Sequence, residues 1–323
     1  MEKNKSRVLT LVKDYNAAAI LLILVIVASF AVDGVSKNLD RVLVEASQYG
    51  LIAVGLALVM ITGNIDLSVG FQTASCAIIT VLMMDMTGGN FFLVILAALL
   101  MGAVMGCING FTVVKLGISP LIATIATNYI FKGFVYFFTR EGAYYPEGDL
   151  RKLLQNSISR NYLGGVRALC VTVLVFLAVL IVLYFVMRKT RYGVSMYISG
   201  DNPEAGLFAG INIKKVNWIT YVLCGMCCGL AGVFMASQAG AAIYAQGEGR
   251  DVFAISACVI GGIKMAGGKG TMVNVLLGIL IMRVISTAMD MLLIPAAWVD
   301  FVSGALLILI LILDRVTAVK KDV

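Results

Sequence analysis

Long uninterrupted apolar runs constrain this chain more than any other feature of its sequence. Several runs reach the roughly 18–20 apolar residues that a helix needs to cross about 30 Å of hydrocarbon, among them 43–62, 91–114 and 297–313. None of them alternates between apolar and polar residues, as the strands of a transmembrane barrel do. Only 13% of the residues are charged, about half the share in a soluble domain. The sequence therefore predicts an all-α, polytopic membrane protein.

The polar joints between the apolar runs divide the chain into about ten predicted transmembrane helices. They are 17–33, 43–62, 67–86, 91–110, 118–139, 168–187, 216–237, 252–266, 271–290 and 297–313. We interpret 1–323 as a single transmembrane domain, with an outer loop at 140–167 and a cytoplasmic loop at 188–215. Lys and Arg concentrate in the joints on one side, which the positive-inside rule makes cytoplasmic. Both termini are predicted on that side. The net charge of +7 reflects this bias and predicts no nucleic-acid partner.

Two residue types limit the chemistry available to the chain. It has no histidine, the commonest general base and metal ligand. Its seven cysteines all lie in apolar context, whereas redox or zinc chemistry needs polar, partly exposed thiols. Even the "CGMCC" cluster at 224–228 is more typical of small packing residues inside a helix. The sequence predicts no catalytic residue, no metal site and no cofactor, so the chain is not expected to be an enzyme.

The apolar segment 51–86 is too long to be one transmembrane helix. A single helix of that length would extend about 54 Å, well beyond the hydrocarbon core. The polar stretch "TGNIDLSVG" at 62–70 is the only place where the segment can break. Gly63 and Asn64 tolerate the backbone angles that a helix end requires. The sequence predicts a helix break at this point.

Asp66 is the ionisable residue inside this break. We predict that it caps a helix beginning at Leu67, with help from Ser68. A carboxylate near the bilayer centre costs roughly 2.5–3.5 kcal/mol, so Asp66 is expected to face protein, water or an interface. Two interpretations stay open: a structural helix cap, or a break that lines or gates a solute path, as interrupted helices do in transporters.

Glycine spacing predicts close packing of two helices. Gly102, Gly106 and Gly110 form two overlapping GxxxG units, and Gly225 and Gly229 form a third. The spacing does not decide whether the contact lies within one subunit or between two.

The cytoplasmic loop contains a short predicted helix in "DNPEAGLFAG", residues 201–210. Asp201 or Asn202 supplies the N-cap, Pro203 suits the first helical position, and Glu204 favours the positive end of the helix dipole. Gly210 is the predicted C-terminal stop. This compact helix fits two interpretations: a lever for a cytoplasmic motor protein, or an amphipathic helix lying on the bilayer.

Four motifs resemble those of the permease subunits of ribose-type ABC sugar importers. "TGNIDLSVG" at 62–70 is similar to the family's "TGGIDLSVG", and "GCINGFTVVKLGISPLIATIAT" at 106–127 is similar to its "G…NG…V…PFIATL" segment. "SGDNPEAGLFAGINIKKV" at 199–216 resembles "GGNPEAARLAGINV", and "VIGGIKMAGGKGT" at 259–271 resembles "VIGGTSLxGGxG". The matches run in order along nearly the whole chain.

The resemblance implies a set of partners and sites in a bacterial inner membrane. A second permease copy or a paralogue, a cytoplasmic ATP-binding subunit and an extracytoplasmic solute-binding protein are expected, with lipid around the spans. The implied coupling residues are Asn202, Pro203, Glu204, Ala205, Gly206, Leu207 and Gly210. The implied signature of the break comprises Gly63, Asn64, Asp66, Ser68 and Gly70. Because a sugar needs hydroxyl and amide partners, the predicted path also includes Asn109, Thr124, Thr127, Asn128 and Gln238.

One segment departs from the family pattern. "GEGRDVFAISACVIGG" at 247–262 stands where the family has "GxGYELxAIAAxVIGG", so that Arg250, Asp251 and Val252 replace Tyr-Glu-Leu. We place this segment, with Glu248, Arg250 and Asp251, near the outer mouth of the path, where the departure bears on contacts with the binding protein. The departure leaves the identity of the sugar open.

The chain has no recognisable ATP site of its own. "GGIKMAGGKGT" lacks the Ser or Thr that must directly follow the lysine of a phosphate-binding loop, because Lys269 precedes Gly270. The sequence predicts a permease subunit for a ribose-like monosaccharide or a related small neutral solute, driven by a separate ATP-binding subunit. The alternative is an ion-gradient-coupled secondary transporter, which would use ionisable residues inside spans. Asp66, Lys132 and Arg283 are the sparse candidates for that role, and local pairing or snorkelling also explains the two basic ones.

Overall fold

The computed structural model describes residues 39–155, 171–295, 297–299, 301–305, 308 and 312. The helices are α1 (Leu39–Ile61), α2 (Val69–Thr87), α3 (Phe91–Gly110), α4 (Pro120–Thr139), α5 (Leu150–Leu154), α6 (Val171–Lys189), α7 (Arg191–Asp201), α8 (Pro203–Phe208), α9 (Ile213–Ala239), α10 (Arg250–Gly261) and α11 (Met272–Met291). A π-helical turn at Phe111–Lys115 extends α3, and a 3₁₀ turn at Tyr244–Gly247 precedes α10. The predicted span at 17–33, most of that at 297–313 and both termini lie outside the described residues.

Seven helices of the described part are long and apolar enough to cross a membrane, namely α1, α2, α3 with its π-helical turn, α4, α6, α9 and α11. They coincide with seven predicted spans to within a few residues. The polytopic helical architecture is therefore confirmed. The span predicted at 252–266 is not among these seven, because α10 has 12 residues and is only about 18 Å long, too short to cross the membrane as one helix. It ends at Gly262, whose φ of 105° stops the helix.

The expectation of a purely helical chain needs one small correction. Strand β1 (Ala143–Tyr144) pairs antiparallel with β2 (Ala242–Ile243). The pairing ties the start of the predicted outer loop to the segment that follows α9. It supplies backbone hydrogen-bond partners where helices have ended.

Helix α9 lies at the centre of the fold, between α1, α2 and α3. The glycine motifs form its contact with α3. A Cβ atom on Gly102 would lie 2.1 Å from the carbonyl oxygen of Gly225, and one on Gly106 would lie 2.2 Å from that of Tyr221. Only glycines allow the two backbones this approach. The GxxxG units therefore pack within one chain, a point that their spacing left open.

The cysteines of α9 serve the same packing. Cys224, Cys227 and Cys228 are buried and free. The Cβ of Cys227 lies 2.9 Å from the position that a Cβ on Gly55 of α1 would take. Within residues 39–155 and 171–295, no three His, Cys, Asp or Glu side chains are grouped so that they could hold a metal ion.

Candidate functional site

The predicted break lies between α1, which ends at Ile61, and α2, which begins at Val69. Gly63 has a φ of 78°, and its N–H donates to the carbonyl of Met60 at 2.9 Å, which closes the end of α1. The prediction that Asp66 caps a helix at Leu67 is wrong. The residue in the N-cap position of α2 is Ser68, and its side chain makes no capping hydrogen bond.

Asp66 instead accepts four hydrogen bonds at the centre of a buried polar network. Its Oδ1 accepts from the N–H of Ser68 at 2.9 Å and from the Ser68 hydroxyl at 2.6 Å. Its Oδ2 accepts from the amides of Gln72 and Asn109, each at 3.1 Å. All four side chains are fully buried. A buried carboxylate requires such donors, because water cannot replace them. The network fastens the break to the end of α3.

Two further hydrogen bonds hold the break against α4 and α9. The N–H of Leu67 donates to the Thr124 hydroxyl at 3.1 Å, and the Tyr221 hydroxyl donates to the carbonyl of Ile65 at 3.0 Å. Thr124 and Asn109, both predicted on the solute path, therefore brace the break. Neither lines either of the two cavities described below.

The other predicted path residues are dispersed. Gly63 and Asn64 border a cavity of about 340 Å³ between the break and the first turn of α4. Thr127 is buried, whereas Asn128 is half-buried on α4. Gly70 has a packing role, because a Cβ there would lie 2.3 Å from the carbonyl oxygen of Gly247.

The short helix α8 has the predicted caps at both ends. The side chain of Asn202 accepts from the N–H of Ala205 at 2.9 Å, and Pro203 occupies the first helical position. At the other end, the N–H of Ile211 donates to Gly206 at 2.9 Å and that of Gly210 donates to Leu207 at 3.0 Å. With Gly210 at a φ of 76°, these bonds form a complete Schellman motif. The six-residue helix is therefore fixed at both termini.

Helix α8 packs against neighbouring side chains on one side and is exposed on the other. Gly206 is buried, and a Cβ there would lie 2.9 Å from the Ile213 side chain and 3.1 Å from that of Ile198. On the opposite side, Leu207 is 63% exposed and Phe208 is 94% exposed. The helix thus presents two large apolar side chains at its tip.

Four glycines connect the segment before α8 to the helix break. We call Gly63, Gly200, Gly267 and Gly268 the glycine joint. The N–H of Gly268 donates to the carbonyl of Ile61 at 2.9 Å. A Cβ on Gly200 would lie 2.0 Å from that same carbonyl oxygen, and one on Gly267 would lie 2.8 Å from the Cα of Gly63. The "AGGKG" sequence thus packs three backbones together at the end of α1.

Tyrosines of α7 reinforce the joint. The Tyr197 hydroxyl donates to the carbonyl of Gly270 at 2.7 Å, and the Tyr192 hydroxyl donates to that of Val216 at 3.3 Å. Burial raises the pKa of both phenols above its usual value, so they act as neutral donors. Helix α7 is thereby attached both to the α10–α11 loop and to α9.

A second cavity, which we call the outer cavity, has a volume of about 630 Å³, within the range of small-molecule sites. It lies between α1, the end of α9, the 3₁₀ turn, α10 and α11. Two of the predicted outer-mouth residues, Glu248 and Arg250, line it, as does Gln238 from the predicted path. Asp251 lies in the first turn of α10 but is not part of the lining.

A cluster of charged and aromatic side chains lines the outer cavity around Tyr49. The guanidinium carbon of Arg250 lies 4.2 Å from the centroid of the Tyr49 ring, and that of Arg283 lies 4.7 Å away. The Phe253 ring is 5.0 Å distant, centroid to centroid. Glu45 forms an ion pair with Arg283, which is the local pairing that the sequence suggested. Sequence reasoning missed Glu45 and Tyr49, although a glutamate inside the apolar run 43–62 was an available signal.

Comparisons with known proteins agree with this architecture. Residues 38–311 match the family model described as branched-chain amino acid transport system / permease component. The autoinducer 2 import system permease protein LsrC of Escherichia coli (strain K12 / DH10B) is 33% identical, over 86% of this chain and 79% of the relative. Its counterparts in Salmonella typhimurium (strain LT2) and Shigella flexneri are 34% and 32% identical over the same 86% of this chain, covering 78% and 79% of those proteins. No solved structure gives a significant match.

The family model covers most of the chain, and the seven membrane-crossing helices of the described part agree with it. The chain is a multi-pass protein of the bacterial inner membrane, and it belongs to the family of permease components of ABC importers.

Proposed function

We propose that the chain is the membrane permease subunit of an ABC importer for a simple sugar or a related small neutral solute, driven by a separate ATP-binding subunit. The observation that carries the proposal is helix α8. It is capped at both ends, it exposes Leu207 and Phe208 at its tip, and it is joined to the helix break through the glycine joint. The helix therefore has the form of a rigid lever.

The charge pattern assigns α8 to the cytoplasmic side. Arg188, Lys189 and Arg191 precede it and Lys214 and Lys215 follow it, as the positive-inside rule requires of inner joints. The end of α1 lies on the same side, because it contacts the segment before α8 in the glycine joint. The start of α1 and the outer cavity then face the exterior. Cytoplasmic termini, which lie outside the described residues, remain our prediction.

The partners follow from these two faces. An exposed phenylalanine beside an exposed leucine is an apolar patch that suits a groove of the ATP-binding subunit. A solute-binding protein would deliver its cargo at the outer cavity. A second permease copy or a paralogue would complete the membrane part. The permease itself would have no ATP site and no catalytic role.

The mechanism that we propose is alternating access driven from the cytoplasm. Closure of the ATP-binding subunits on ATP would displace α8 as a rigid body. The glycine joint would pass this displacement to α1 and to the α10–α11 loop, since three backbones touch there. Helices α1, α10 and α11 also line the outer cavity. Movement at α8 would therefore change access to the solute on the opposite side.

The solute is assigned here by class. The relatives are named for import of autoinducer 2, whereas the sequence motifs resemble those of ribose-type permeases. A small, uncharged molecule rich in hydroxyl groups satisfies both. Ribose itself is one member of that class, and we do not single it out.

The test is replacement of Phe208 by glutamate in the assembled importer. The side chain is 94% exposed, so insertion and folding should be unchanged. We expect the ATP-binding subunit to be lost on purification in mild detergent, and uptake to be lost with it. Val194→Glu is the matched control, because Val194 is an exposed apolar residue of α7 outside α8. Solute transport by the purified permease alone, driven by an ion gradient, would instead support the secondary-transporter alternative.

A further inference from the structure

The outer cavity contains buried donors that lack partners in the part of the chain that the structure describes. Gln48 is 2% exposed and its Nε2 makes no hydrogen bond there, and the Nε of Arg283, a residue 5% exposed, makes none either. Both residues line the cavity. Buried polar groups in native proteins are nearly always paired. Two such donors at one cavity indicate a bound molecule that carries acceptors.

Among the residues that the structure describes, charges of both signs line the same cavity in equal number. Three guanidinium groups and three carboxylates border it, from Arg41, Arg250, Arg283, Glu45, Glu248 and Asp290. Glu45 accepts from Arg41 at 2.8 Å and also pairs with Arg283, so the two signs alternate within a few ångströms. A free anion entering the cavity would meet carboxylates, and a free cation would meet guanidinium groups. The described part of the lining is therefore polar without a net formal charge.

The aromatic pair Tyr49 and Phe253 gives this lining an apolar part. The guanidinium groups of Arg250 and Arg283 lie 4.2 and 4.7 Å from the Tyr49 ring centroid, and that of Arg283 lies 6.0 Å from the Phe253 centroid. Apolar surface combined with a few placed polar groups is the usual composition of a small-molecule site. It suits a ring with C–H faces and hydroxyl groups at its edge.

We infer that the outer cavity is the outward-facing solute site, with Gln48 and Arg283 as hydrogen-bond donors, and that it admits a small neutral polyhydroxylated molecule. This inference rests on the proposed function and deepens it. It also gives Arg250, where the chain departs from the family pattern, a role in shaping the site beside Tyr49. The predicted path residues Asn109 and Thr124 then belong to the scaffold instead of the solute site.

The experiment measures access and charge preference with thiol reagents in intact cells that express the whole importer. Gln238→Cys and Ala245→Cys place a thiol at two exposed positions of the cavity. Each variant is treated with small membrane-impermeant methanethiosulfonates, one carrying a sulfonate and one a trimethylammonium group. Ile181→Cys on the apolar surface of α6 is the control, and the unaltered chain gives the background of the native thiols.

We expect both cavity thiols to be labelled from outside, at rates for the two reagents that agree within about threefold after correction for intrinsic reactivity, and the Ile181→Cys thiol to stay unlabelled. A single uncompensated charge about 8 Å away would speed one reagent and slow the other, each by roughly tenfold. A ratio of about tenfold or more between the two corrected rates would overturn the assignment of a neutral solute. Absence of labelling, or labelling only in inside-out vesicles, would overturn the outward-facing site.

This readout is separate from the test of the proposed function. Labelling requires only a folded permease in the membrane, whereas the Phe208→Glu experiment reads attachment of the ATP-binding subunit. Loss of labelling with intact coupling refutes the site alone. Normal labelling with a Phe208→Glu variant that still couples refutes the ABC mechanism alone.

Discussion

Replacement of Gly200 by alanine is the sharpest test of the glycine joint. The added Cβ would lie 2.0 Å from the carbonyl oxygen of Ile61 and 2.5 Å from the amide nitrogen of Gly268. Ordinary contact begins at 3.4 Å, so the backbones would have to separate by more than 1 Å. Separation would also stretch the 2.9 Å hydrogen bond between Gly268 and Ile61. Overpacking costs about 1–3 kcal/mol and a lost hydrogen bond about 0.5–1.5 kcal/mol.

We therefore expect Gly200→Ala to lower the free energy of unfolding by about 2–4 kcal/mol, measured as thermal or denaturant unfolding of the purified permease in detergent. In the assembled importer, ATP hydrolysis should persist while solute uptake falls, because α8 still binds its partner but no longer moves α1. Gly133→Ala is the control, since no heavy atom lies within 4 Å of its added Cβ. Unchanged stability together with full uptake in Gly200→Ala would refute the joint.

Three further predictions follow from buried contacts. Asp66→Asn should lower the free energy of unfolding by about 1–3 kcal/mol, because the new amide would face the amide donor of Gln72; equal denaturation midpoints would contradict the network. Arg283→Met should cost about 3–5 kcal/mol by leaving Glu45 less compensated, and the double variant with Glu45→Gln should recover part of that loss in a double-mutant cycle. Tyr197→Phe should cost about 0.5–1.5 kcal/mol. Because burial raises the pKa of this phenol, its contribution is complete below pH of about 10 and is lost only as the pH rises further, which unfolding measured between pH 7 and 11 would reveal.

Features encoded over a few adjacent residues could be predicted from the sequence. Seven spans were placed to within a few residues, because a length of apolar residues fixes a membrane helix almost without regard to its neighbours. The break at Gly63 and the capped helix from Pro203 were equally local, since helix ends depend on the residues next to them. The motifs and their order along the chain indicated the family, because each motif is also a short run of adjacent residues.

Features that join distant parts of the chain required the tertiary structure. Asp66 was expected to cap its own helix, but Asn109, 43 residues away, supplies one of its donors. The run 252–266 is apolar enough to resemble a span, yet its helix has only 12 residues and is capped by Gly262, whose φ is 105°. The local sequence pattern does not distinguish a helix cap from a long-range polar network, or a full span from a short helix.

The sequence by itself determined that this chain is a polytopic membrane protein with an interrupted helix and a short capped helix from Pro203, because hydropathy, caps and glycines act over one or two turns. Only the tertiary structure decided which distant residues are in contact. It brought Glu45, Tyr49, Arg250 and Arg283 from three helices to one cavity, and it joined the segment before the short helix to the break through glycine backbones. Such contacts depend on how whole helices pack. The local sequence around each residue does not indicate which distant residue it will contact.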